Sequence, residues 1–320
     1  MSLSLLFLCG GRRVGLLRAF RRALAEHGAG RVFTTDTDPH AATSFVADRS
    51  FAVAPCLDTE RFASDVAAVC ERERIAAVLP LRCDAVSALP ALRRLTSASI
   101  IGGDDEAIRI CRDKLLTARY LRGAGLLTPE VVDHPRASDL PLFRRPRSAE
   151  GSSGVAVIST QGQLDQSPRD GHVFTRYLEG TEYTLDGYKD LRGRLIAVTP
   201  RQRLRVRAGE VERSVTRCLP SLSEQARAAL DPLGFVGPAT VQAFVSGGET
   251  YFTEINLRYG GGVTLSIAAG ADSPRWLVAD LSGARPSVPG EVRWNLGMSR
   301  YDSEFYYEEG ERHADDPDGS

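Results

Sequence analysis

The chain has 320 residues, of which 42% are hydrophobic and 25% are charged, and its formal net charge is −1. A chain of this length accommodates about two domains with a large buried core, so disulfide or metal staples are not required for stability. The near balance of 40 basic and 41 acidic residues argues against a dedicated nucleic-acid-binding protein, which would usually carry a basic excess.

The first 110 residues alternate between apolar, strand-like runs and amphipathic helices. Strands are predicted at residues 3–9, 31–35, 75–80 and 99–102, and helices at residues 14–26 and 63–72. Strands that alternate with helices form parallel sheets with crossover helices. This part of the chain is therefore predicted to be a Rossmann-like α/β unit.

The pattern changes near residue 112. Helices are predicted at 104–110, 113–123 and 223–233, and strands at 142–145, 155–158, 173–177, 183–188, 195–206, 239–244 and 250–256. Short consecutive strands with glycine-rich turns favour antiparallel pairing, so the second part is predicted to be α+β. The acidic segment 308–320, with its glycines and prolines, is expected to fray.

Lysine and cysteine positions exclude further classes of protein. Lys114 and Lys189 are the only lysines, and neither lies in the Gly-Lys-Ser/Thr context of a phosphate-binding P-loop. None of the six cysteines forms a Cys-X-X-Cys pair, which excludes a zinc ribbon and is typical of reduced, scattered thiols. The apolar run 3–9 is too short to cross a bilayer and follows no basic segment, so we expect a cytoplasmic protein without a membrane partner.

A glycine-rich turn at residues 9–15 connects the first predicted strand to the first helix. Glycines there let the backbone approach a ligand at a helix N-terminus, and Asp36 and Asp38 follow the second strand, where a dinucleotide enzyme places its ribose-binding acid. NAD binding by an oxidoreductase is one interpretation, and a tight turn without a nucleotide is the other. The single, imperfect glycine pattern favours the second.

Two arginine-rich segments indicate anion binding. Residues 145–154 form a small-residue loop whose backbone N–H groups can surround phosphates, and the arginines at its base favour this over an ordinary hairpin loop. Four arginines, at 201, 203, 205 and 207, alternate along a predicted strand, so they share a face while Leu204 and Val206 take the other. Acids from elsewhere in the fold or an anionic ligand must neutralise them, and the sequence leaves both open.

The most informative segment reads Glu-Ile-Asn-Leu-Arg from residue 254 and continues into glycines 260–262. Glu254 and Asn256 share a strand face because they are two residues apart. Gln242, on the preceding strand, opposes Glu254 only if the intervening loop has an odd length, as a three-residue loop at 247–249 would. Three oxygen donors would then converge, and such ligands suit Mg²⁺ bound with a nucleoside triphosphate. A polar strand end without a metal is less favoured.

Together these segments resemble the ATP-grasp superfamily, most closely the group related to the large subunit of carbamoyl-phosphate synthase, over nearly the whole chain. The motifs that carry the resemblance are the Glu-Ile-Asn-Leu-Arg segment, Glu179-Gly180-Thr181-Glu182-Tyr183, Arg145-Pro146-Arg147, and Asp113-Lys114 at a helix start. The resemblance implies a Rossmann-like pre-ATP-grasp domain (1–112) and a two-lobed ATP-grasp domain with antiparallel sheets (113–320). Residues 113–180 would form a small lobe with the glycine-rich flap, 181–307 a large lobe and 308–320 the frayed tail.

The resemblance also implies roles for individual residues. ATP binding is assigned to Lys114, Arg145, the flap residues Arg147, Ser148, Gly151, Ser152 and Gly154, the adenine-side residues Tyr177 and Leu178, and the ribose-binding Glu182. Mg²⁺ ligation is assigned to Glu254 and Asn256, assisted by Gln242. Arg258 would steady the transferred phosphoryl group. By hypothesis, the arginine strand, through Arg201 and Arg203, would hold the substrate carboxylate or acyl phosphate, while Asp113 caps its helix.

The implied enzyme is an ATP-dependent carboxylate–amine ligase that forms an acyl phosphate and then an amide, with ATP and Mg²⁺, or Mn²⁺, as cofactors. Alternatives are phosphorylation of a carboxylate or carbamate without amide formation, and a catalytically silent nucleotide-binding module. The expected partners are a small-molecule acid and amine, with amino acids among the candidates, and a homodimer is compatible with the family. Arg176, where relatives often have Glu, and Leu257, where Pro is usual, depart from the pattern.

Overall fold

The computed structural model describes residues 3–148, 154–207, 209–286, 290–311 and 314–315. Within these residues the strands form a five-stranded, a six-stranded and a three-stranded sheet. An α/β unit is thus followed by antiparallel sheets, as the sequence predicts. Of the helices in the described part of the chain, none has the length and apolar character required to span a bilayer.

The five-stranded sheet belongs to the N-terminal part of the chain. Its elements are β1 (Leu3–Leu8), α1 (Val14–Glu26), β2 (Gly30–Asp36), β3 (Arg49–Ala52), α2 (Thr59–Glu73), β4 (Ala77–Pro80), α3 (Cys83–Ser87), α4 (Leu89–Leu95) and β5 (Ser99–Ile100). The strand order is β3-β2-β1-β4-β5, and β1 pairs in parallel with both β2 and β4. Helix α1 buries Leu16, Leu17 and Phe20 on one face, as expected for a crossover helix on a parallel sheet.

Two helices and the three-stranded sheet, which we call the small sheet, follow. The elements are α5 (Asp105–Arg112), α6 (Lys114–Gly123), β6 (Leu142–Pro146), β7 (Ala156–Ile158), α7 (Gln161–Asp165) and β8 (His172–Arg176). Strand β6 lies in the middle and pairs antiparallel with β7 and β8. Leu142, Ile158, Leu164 and Phe174 form a separate buried apolar cluster that stabilises this sheet.

The six-stranded sheet, the large sheet, carries most of the predicted site. Its elements are β9 (Thr181–Lys189), β10 (Leu195–Arg207), β11 (Glu210–Thr216), α8 (Pro220–Leu230), β12 (Gly237–Ser246), β13 (Glu249–Asn256), α9 (Val263–Ala268), α10 (Ser273–Leu281) and β14 (Gly297–Ser299). The strand order is β13-β12-β9-β10-β11-β14. Strand β12 returns to pair with β9, so the strands that carry the candidate metal ligands lie beside the strand that carries Glu182.

The large sheet and the five-stranded sheet share one buried apolar cluster. It contains Leu6 and Phe33 from the N-terminal strands and Leu185 and Phe252 from β9 and β13. Burial of apolar area is the dominant favourable contribution to packing of this kind. The N-terminal unit is therefore held directly against the sheet that carries the site.

The C-terminal segment differs from the expected frayed tail at residue 315. Asp315 forms a parallel bridge with Phe51 of β3. Ala52 N donates to Asp315 O at 2.9 Å, and Asp315 N donates to Ser50 O at 2.8 Å. Arg49 Nη2 lies 2.6 Å from the Asp315 carboxylate. These bonds cover the open edge of β3, which would otherwise expose unpaired backbone groups.

Candidate active site

The predicted phosphate-binding and metal-binding residues meet between the small sheet and the large sheet. Lys114 Nζ, at the start of α6, lies 3.9 Å from Glu254 Oε1 on β13. Arg145, on β6, donates from Nη2 to the backbone O of Thr253 at 3.1 Å. Elements far apart in the sequence therefore bring two cations to the end of β13.

Asp113 positions Lys114, as its expected capping role requires. Its Oδ1 accepts hydrogen bonds from the backbone N of Leu115 at 2.8 Å and of Leu116 at 3.2 Å, which satisfies free amides at the N-terminus of α6. Its Oδ2 binds Arg147 Nε at 2.7 Å, and Lys114 N donates to Arg147 O at 3.1 Å. Burial raises the pKa of Asp113, but these hydrogen bonds outweigh burial and leave it below its ordinary value.

Arg145 is a buried cation with spare hydrogen-bonding capacity. Its side chain is 9% exposed, and its Nε is buried without a hydrogen-bond partner among the described residues. Burial lowers the pKa of Arg145, and the nearby Glu254 carboxylate partly opposes this effect. A desolvated guanidinium is costly unless an anion accompanies it, so this position fits an ATP phosphate.

Gln242 and Glu254 oppose each other in the β12–β13 pair, as predicted, and Thr240 opposes Asn256. The predicted three-residue loop is wrong. The turn has two residues, Gly247 and Gly248, whose φ angles of 58° and 86° suit a tight hairpin turn. The pairing instead shifts by one residue between Gln242 and Ala243, at a β-bulge. This shift places Gln242 opposite Glu254 despite the two-residue turn.

Glu254, Asn256 and Gln242 offer one carboxylate and two amide groups. Asn256 is buried, and its Oδ1 accepts a hydrogen bond from Cys83 Sγ at 2.9 Å, which orients the amide. In the described part of the chain, no group of three or more His, Cys, Asp or Glu side chains lies close enough to hold a metal. Mg²⁺ is commonly held by one or two carboxylates together with substrate phosphates. The donor set therefore fits Mg²⁺ that arrives with a nucleotide.

Glu182, the predicted ribose-binding acid, is held by Arg203. Arg203 Nη1 on β10 lies 2.5 Å from Glu182 Oε1 on β9. Burial raises the pKa of Glu182, and the Glu254 carboxylate adds to this effect while Arg203 opposes it. The electrostatic influence of Glu254 indicates that Glu182 belongs to the same charged region as the candidate metal ligands.

The arginine strand, β10, is irregular where it pairs with β11. Bulges interrupt the β10–β11 pairing on both sides of Arg205, and Leu204 and Val206 are 53% and 42% exposed. The four arginines each bind an acid, with distances of 2.6 Å for Arg201–Asp186, 2.5 Å for Arg203–Glu182, 2.7 Å for Arg205–Glu212 and 2.8 Å for Arg207–Asp302. Of the two alternatives that the sequence left open, neutralisation by acids of the fold is the one observed.

The remaining predicted nucleotide-binding residues lie on segments between strands. Tyr177 and Leu178 follow β8 and precede β9, and Tyr177 is 36% exposed. Ser148 and Gly154 border the flap, whereas Gly151 and Ser152 lie outside the described residues. Arg176, which departs from the family pattern, forms ion pairs with Asp139 at 3.1 Å and Glu130 at 3.4 Å. These two carboxylates neutralise its charge.

The glycine turn at residues 9–15 is stabilised from within the protein. Gly11 N donates to Asp36 Oδ2 at 2.8 Å, so the acid that could hold a ribose instead stabilises the turn. A Cβ at Gly10 would collide with the hydroxyls of Thr34 and Thr43, so close packing requires glycine there. These contacts agree with the turn interpretation rather than with NAD binding.

A second group of charged residues, of which the sequence indicated only Arg258, lies beside this turn. Glu210 binds Arg13 through hydrogen bonds of 2.9 and 3.2 Å and lies 3.5 Å from Arg300. Burial raises the pKa of Glu210, but Arg13, Arg300 and Arg258 outweigh it and leave the pKa below its ordinary value. We call these four residues the Glu210 cluster. They come from four separate segments, so no local spacing indicates them.

Family models match two parts of the chain. The model described as "ATP-grasp in the biosynthetic pathway with Ter operon" matches residues 170–302. The model described as "PylC-like, N-terminal domain" matches residues 5–100. Among curated proteins, none matches the chain.

Solved structures resemble nearly the whole chain. The biotin carboxylase domain of the 2-oxoglutarate carboxylase from Hydrogenobacter thermophilus, with MgADP, ADP and bicarbonate, has a TM-score of 0.74 at 15% identity over 93% of this chain and 74% of that chain. The beta-gamma-ATP complex of biotin carboxylase from Campylobacter jejuni has a TM-score of 0.72 at 18% identity over 92% of this chain and 74% of that chain. N5-carboxyaminoimidazole synthetase from Staphylococcus aureus, with ADP, has a TM-score of 0.71 at 17% identity over 92% and 81%. At these identities the likeness shows the fold.

Proposed function

We propose that the chain is an ATP-dependent carboxylate–amine ligase, because a family model of ATP-grasp proteins matches residues 170–302. Relatives of this fold hold ADP and, in one case, MgADP, which agrees with ATP and Mg²⁺ as the cofactors. The proposed substrates are a small-molecule acid and a small-molecule amine. The proposed domain division is a pre-ATP-grasp domain up to residue 112 and an ATP-grasp domain after it.

The observation that carries the proposal is the convergence of Lys114 and Arg145 on Glu254. An ion pair that only stabilised the fold would not require two cations beside one carboxylate. The Nε of one of these cations, Arg145, is also buried and has no hydrogen-bond partner within the described part of the chain. Phosphates explain the cations, and the metal that accompanies the phosphates explains the oxygen donors of Glu254, Asn256 and Gln242.

In the proposed reaction, a carboxylate oxygen of the substrate attacks the γ-phosphorus of ATP. The bond from the γ-phosphorus to the bridging oxygen breaks, and ADP leaves with that electron pair. The nitrogen lone pair of an uncharged amine then attacks the carbonyl carbon of the acyl phosphate, and the carbon–oxygen bond to phosphate breaks. The nitrogen loses one proton, and the products are an amide and inorganic phosphate.

The chain's own residues would bind and orient these groups. Lys114 and Arg145 are positioned to neutralise the phosphate oxygens, and Arg258, a member of the Glu210 cluster, is positioned for the phosphoryl group in transfer. Mg²⁺, when bound, would neutralise further phosphate charge at Glu254 and Asn256. In the described part of the chain we assign no covalent nucleophile, because attack by the substrate carboxylate needs none.

The experiment is capture of the acyl phosphate by hydroxylamine. The full chain is incubated with Mg-ATP, hydroxylamine and a panel of small carboxylic acids, and hydroxamate and ADP are measured together. The proposal predicts equal amounts of both with at least one acid, and their loss in Glu254→Gln. Glu249→Gln is the matched control, because Glu249 lies on the same strand but at its exposed far end.

The outcomes separate the alternatives. Hydroxamate formation without amide formation from any amine would support carboxylate phosphorylation alone. ADP release that is independent of any acid, or the same hydroxamate yield in Glu254→Gln as in the wild type, would contradict the ligase proposal.

A further inference from the structure

The candidate metal ligand Asn256 is held by a residue of the N-terminal unit. Cys83, the first residue of α3, follows β4 of the five-stranded sheet and is buried. Its Sγ donates to Asn256 Oδ1 at 2.9 Å, although 173 positions separate the two residues in the sequence. This bond favours one orientation of the buried amide, because turning the amide over would replace the accepting oxygen by a donating NH₂ group.

The bond to Cys83 leaves Asn256 able to bind a cation. An amide oxygen has two lone pairs, and the thiol uses one of them. Glu254 lies two residues earlier on the same strand, and Gln242 opposes Glu254 on β12. The second lone pair of the Asn256 oxygen therefore remains available for a metal ion that these neighbours also ligate.

The residue after Asn256 is also packed against the N-terminal unit. Leu257 stands where the family pattern usually has Pro, and it is 2% exposed. A Cβ at Gly103 would collide with the Leu257 side chain, so glycine at position 103 provides the space that Leu257 occupies. The departure from the family pattern thus gives the end of β13 an apolar contact with the N-terminal unit.

Backbone contacts fix the same junction. Residues 102–104 are joined to residues 234–236 by an antiparallel bridge and by two hydrogen bonds of 2.7 and 3.1 Å. Residues 234–236 lead directly into β12, which pairs with β13. The N-terminal unit is therefore attached to the two strands that carry the candidate metal ligands, and this attachment keeps Cys83 in place beside Asn256.

Asp84, the residue after Cys83, connects the start of α3 to the phosphate-binding side. Its Oδ1 accepts a hydrogen bond from Arg112 Nη2 at 3.2 Å. Arg112 is the last residue of α5 and comes two positions before Lys114. The start of α3 therefore contacts both the candidate metal ligand and the segment that carries a candidate phosphate-binding cation.

We propose that Cys83 is a positioning residue of the metal site, and that its thiol hydrogen bond holds the Asn256 amide in the orientation that binds Mg²⁺. This inference rests on the proposed function. A ligand that is already oriented loses little conformational freedom when the metal arrives with the nucleotide, so the metal binds more tightly. Cys83 acts through Asn256 and is not itself a ligand.

The test is calorimetric titration of the full chain with a non-hydrolysable ATP analogue over a series of Mg²⁺ concentrations. Cys83→Ala should raise the Mg²⁺ concentration for half-maximal binding by about tenfold or more, as loss of a group that orients a metal ligand commonly does. Cys83→Ser keeps a donor and should recover part of this loss, whereas Cys83→Val, which fills the space without a donor, should not. Cys70→Ala, which truncates a buried thiol of α2, is the matched control and should bind as the wild type does.

A double-mutant cycle tests the contact without metal or nucleotide. Urea unfolding of Cys83→Ala, Asn256→Ala and the double variant should give non-additive losses of stability, because both single variants remove the same bond. An unchanged Mg²⁺ requirement in Cys83→Ala, equal losses in Cys83→Ser and Cys83→Val, or additive losses of stability would overturn the proposal. A wild type that binds the analogue without Mg²⁺, or does not bind it, would contradict the proposed function instead, while the cycle still measures the contact between Cys83 and Asn256.

Discussion

Lys114 and Glu254 face each other across the junction of the small and large sheets, with 3.9 Å between Nζ and Oε1. The separation is longer than a charge-assisted hydrogen bond, which usually measures about 2.7–2.9 Å. The ammonium and carboxylate groups therefore attract each other but form no direct hydrogen bond. A phosphate oxygen and a metal ion would each find an opposite charge in this arrangement.

Lys114→Ala should weaken binding of an ATP analogue. A charged hydrogen bond contributes about 1.5–3 kcal/mol, so we expect the dissociation constant to rise by roughly ten- to a hundredfold. The melting temperature without nucleotide shows whether the variant still folds. Calorimetry and thermal unfolding measure the two effects, and unchanged affinity for the analogue would exclude Lys114 from phosphate binding.

Asp113→Ala should destabilise the fold by about 0.5–2 kcal/mol, because α6 loses its N-cap. Asp113→Asn keeps a good capping group but removes the charge that binds Arg147. It should therefore recover most of the capping stability and lose only the small contribution of an ion pair whose arginine is exposed to solvent. Urea unfolding measures both variants, and equal loss in the two would show that the ion pair, not the cap, holds the start of α6.

Much of this site follows from the sequence because its spacing is local. The face shared by Glu254 and Asn256 follows from strand geometry, and Asp113 before Lys114 is an ordinary capping position. The bulge at Gln242 could not be predicted from the sequence. A two-residue turn with a bulge and a three-residue loop without one both place Gln242 opposite Glu254. Strands β3, β11 and β14 are not among the predicted strands.

The Glu210 cluster and the Asp315 bridge are tertiary features. Arg13, Glu210 and Arg300 are separated by long stretches of chain, so only the packing of the N-terminal unit against the large sheet brings them together. Asp315 lies in a segment whose composition indicates disorder, yet it pairs with β3. In both cases the partner, rather than the local sequence, determines the structure.

Stability in acid should depend on Glu210. Its pKa lies below its ordinary value, so its charged form stabilises the fold above about pH 4.3, and this contribution is lost as the pH falls through the lower folded-state pKa. Glu210→Gln should therefore melt at a lower temperature than the wild type at neutral pH. The difference should shrink below about pH 4. A difference that does not change with pH would show that Glu210 acts through packing and not through charge.

The thiols of Cys9 and Cys56 lie 3.1 Å apart at the end of β1. The hydrogen bond between them lowers the pKa of Cys56 below its ordinary value and raises that of Cys9. Cys9→Ala should therefore slow the alkylation of Cys56 near neutral pH, because less thiolate is present. Mass spectrometry of iodoacetamide-treated protein measures this rate, with the exposed Cys218 as the internal reference. Faster or unchanged alkylation would show that Cys9 does not lower the pKa of Cys56.

The central claim, a Mg²⁺-dependent ATP site at Glu254, is tested most directly by calorimetric titration of a non-hydrolysable ATP analogue with and without Mg²⁺. The wild type and Glu249→Gln should bind the analogue only when Mg²⁺ is present. Glu254→Gln should bind it at least about tenfold more weakly, since loss of a group that holds a metal commonly costs that much or more. Binding that does not require Mg²⁺, or equal affinity in the wild type and Glu254→Gln, would contradict the account.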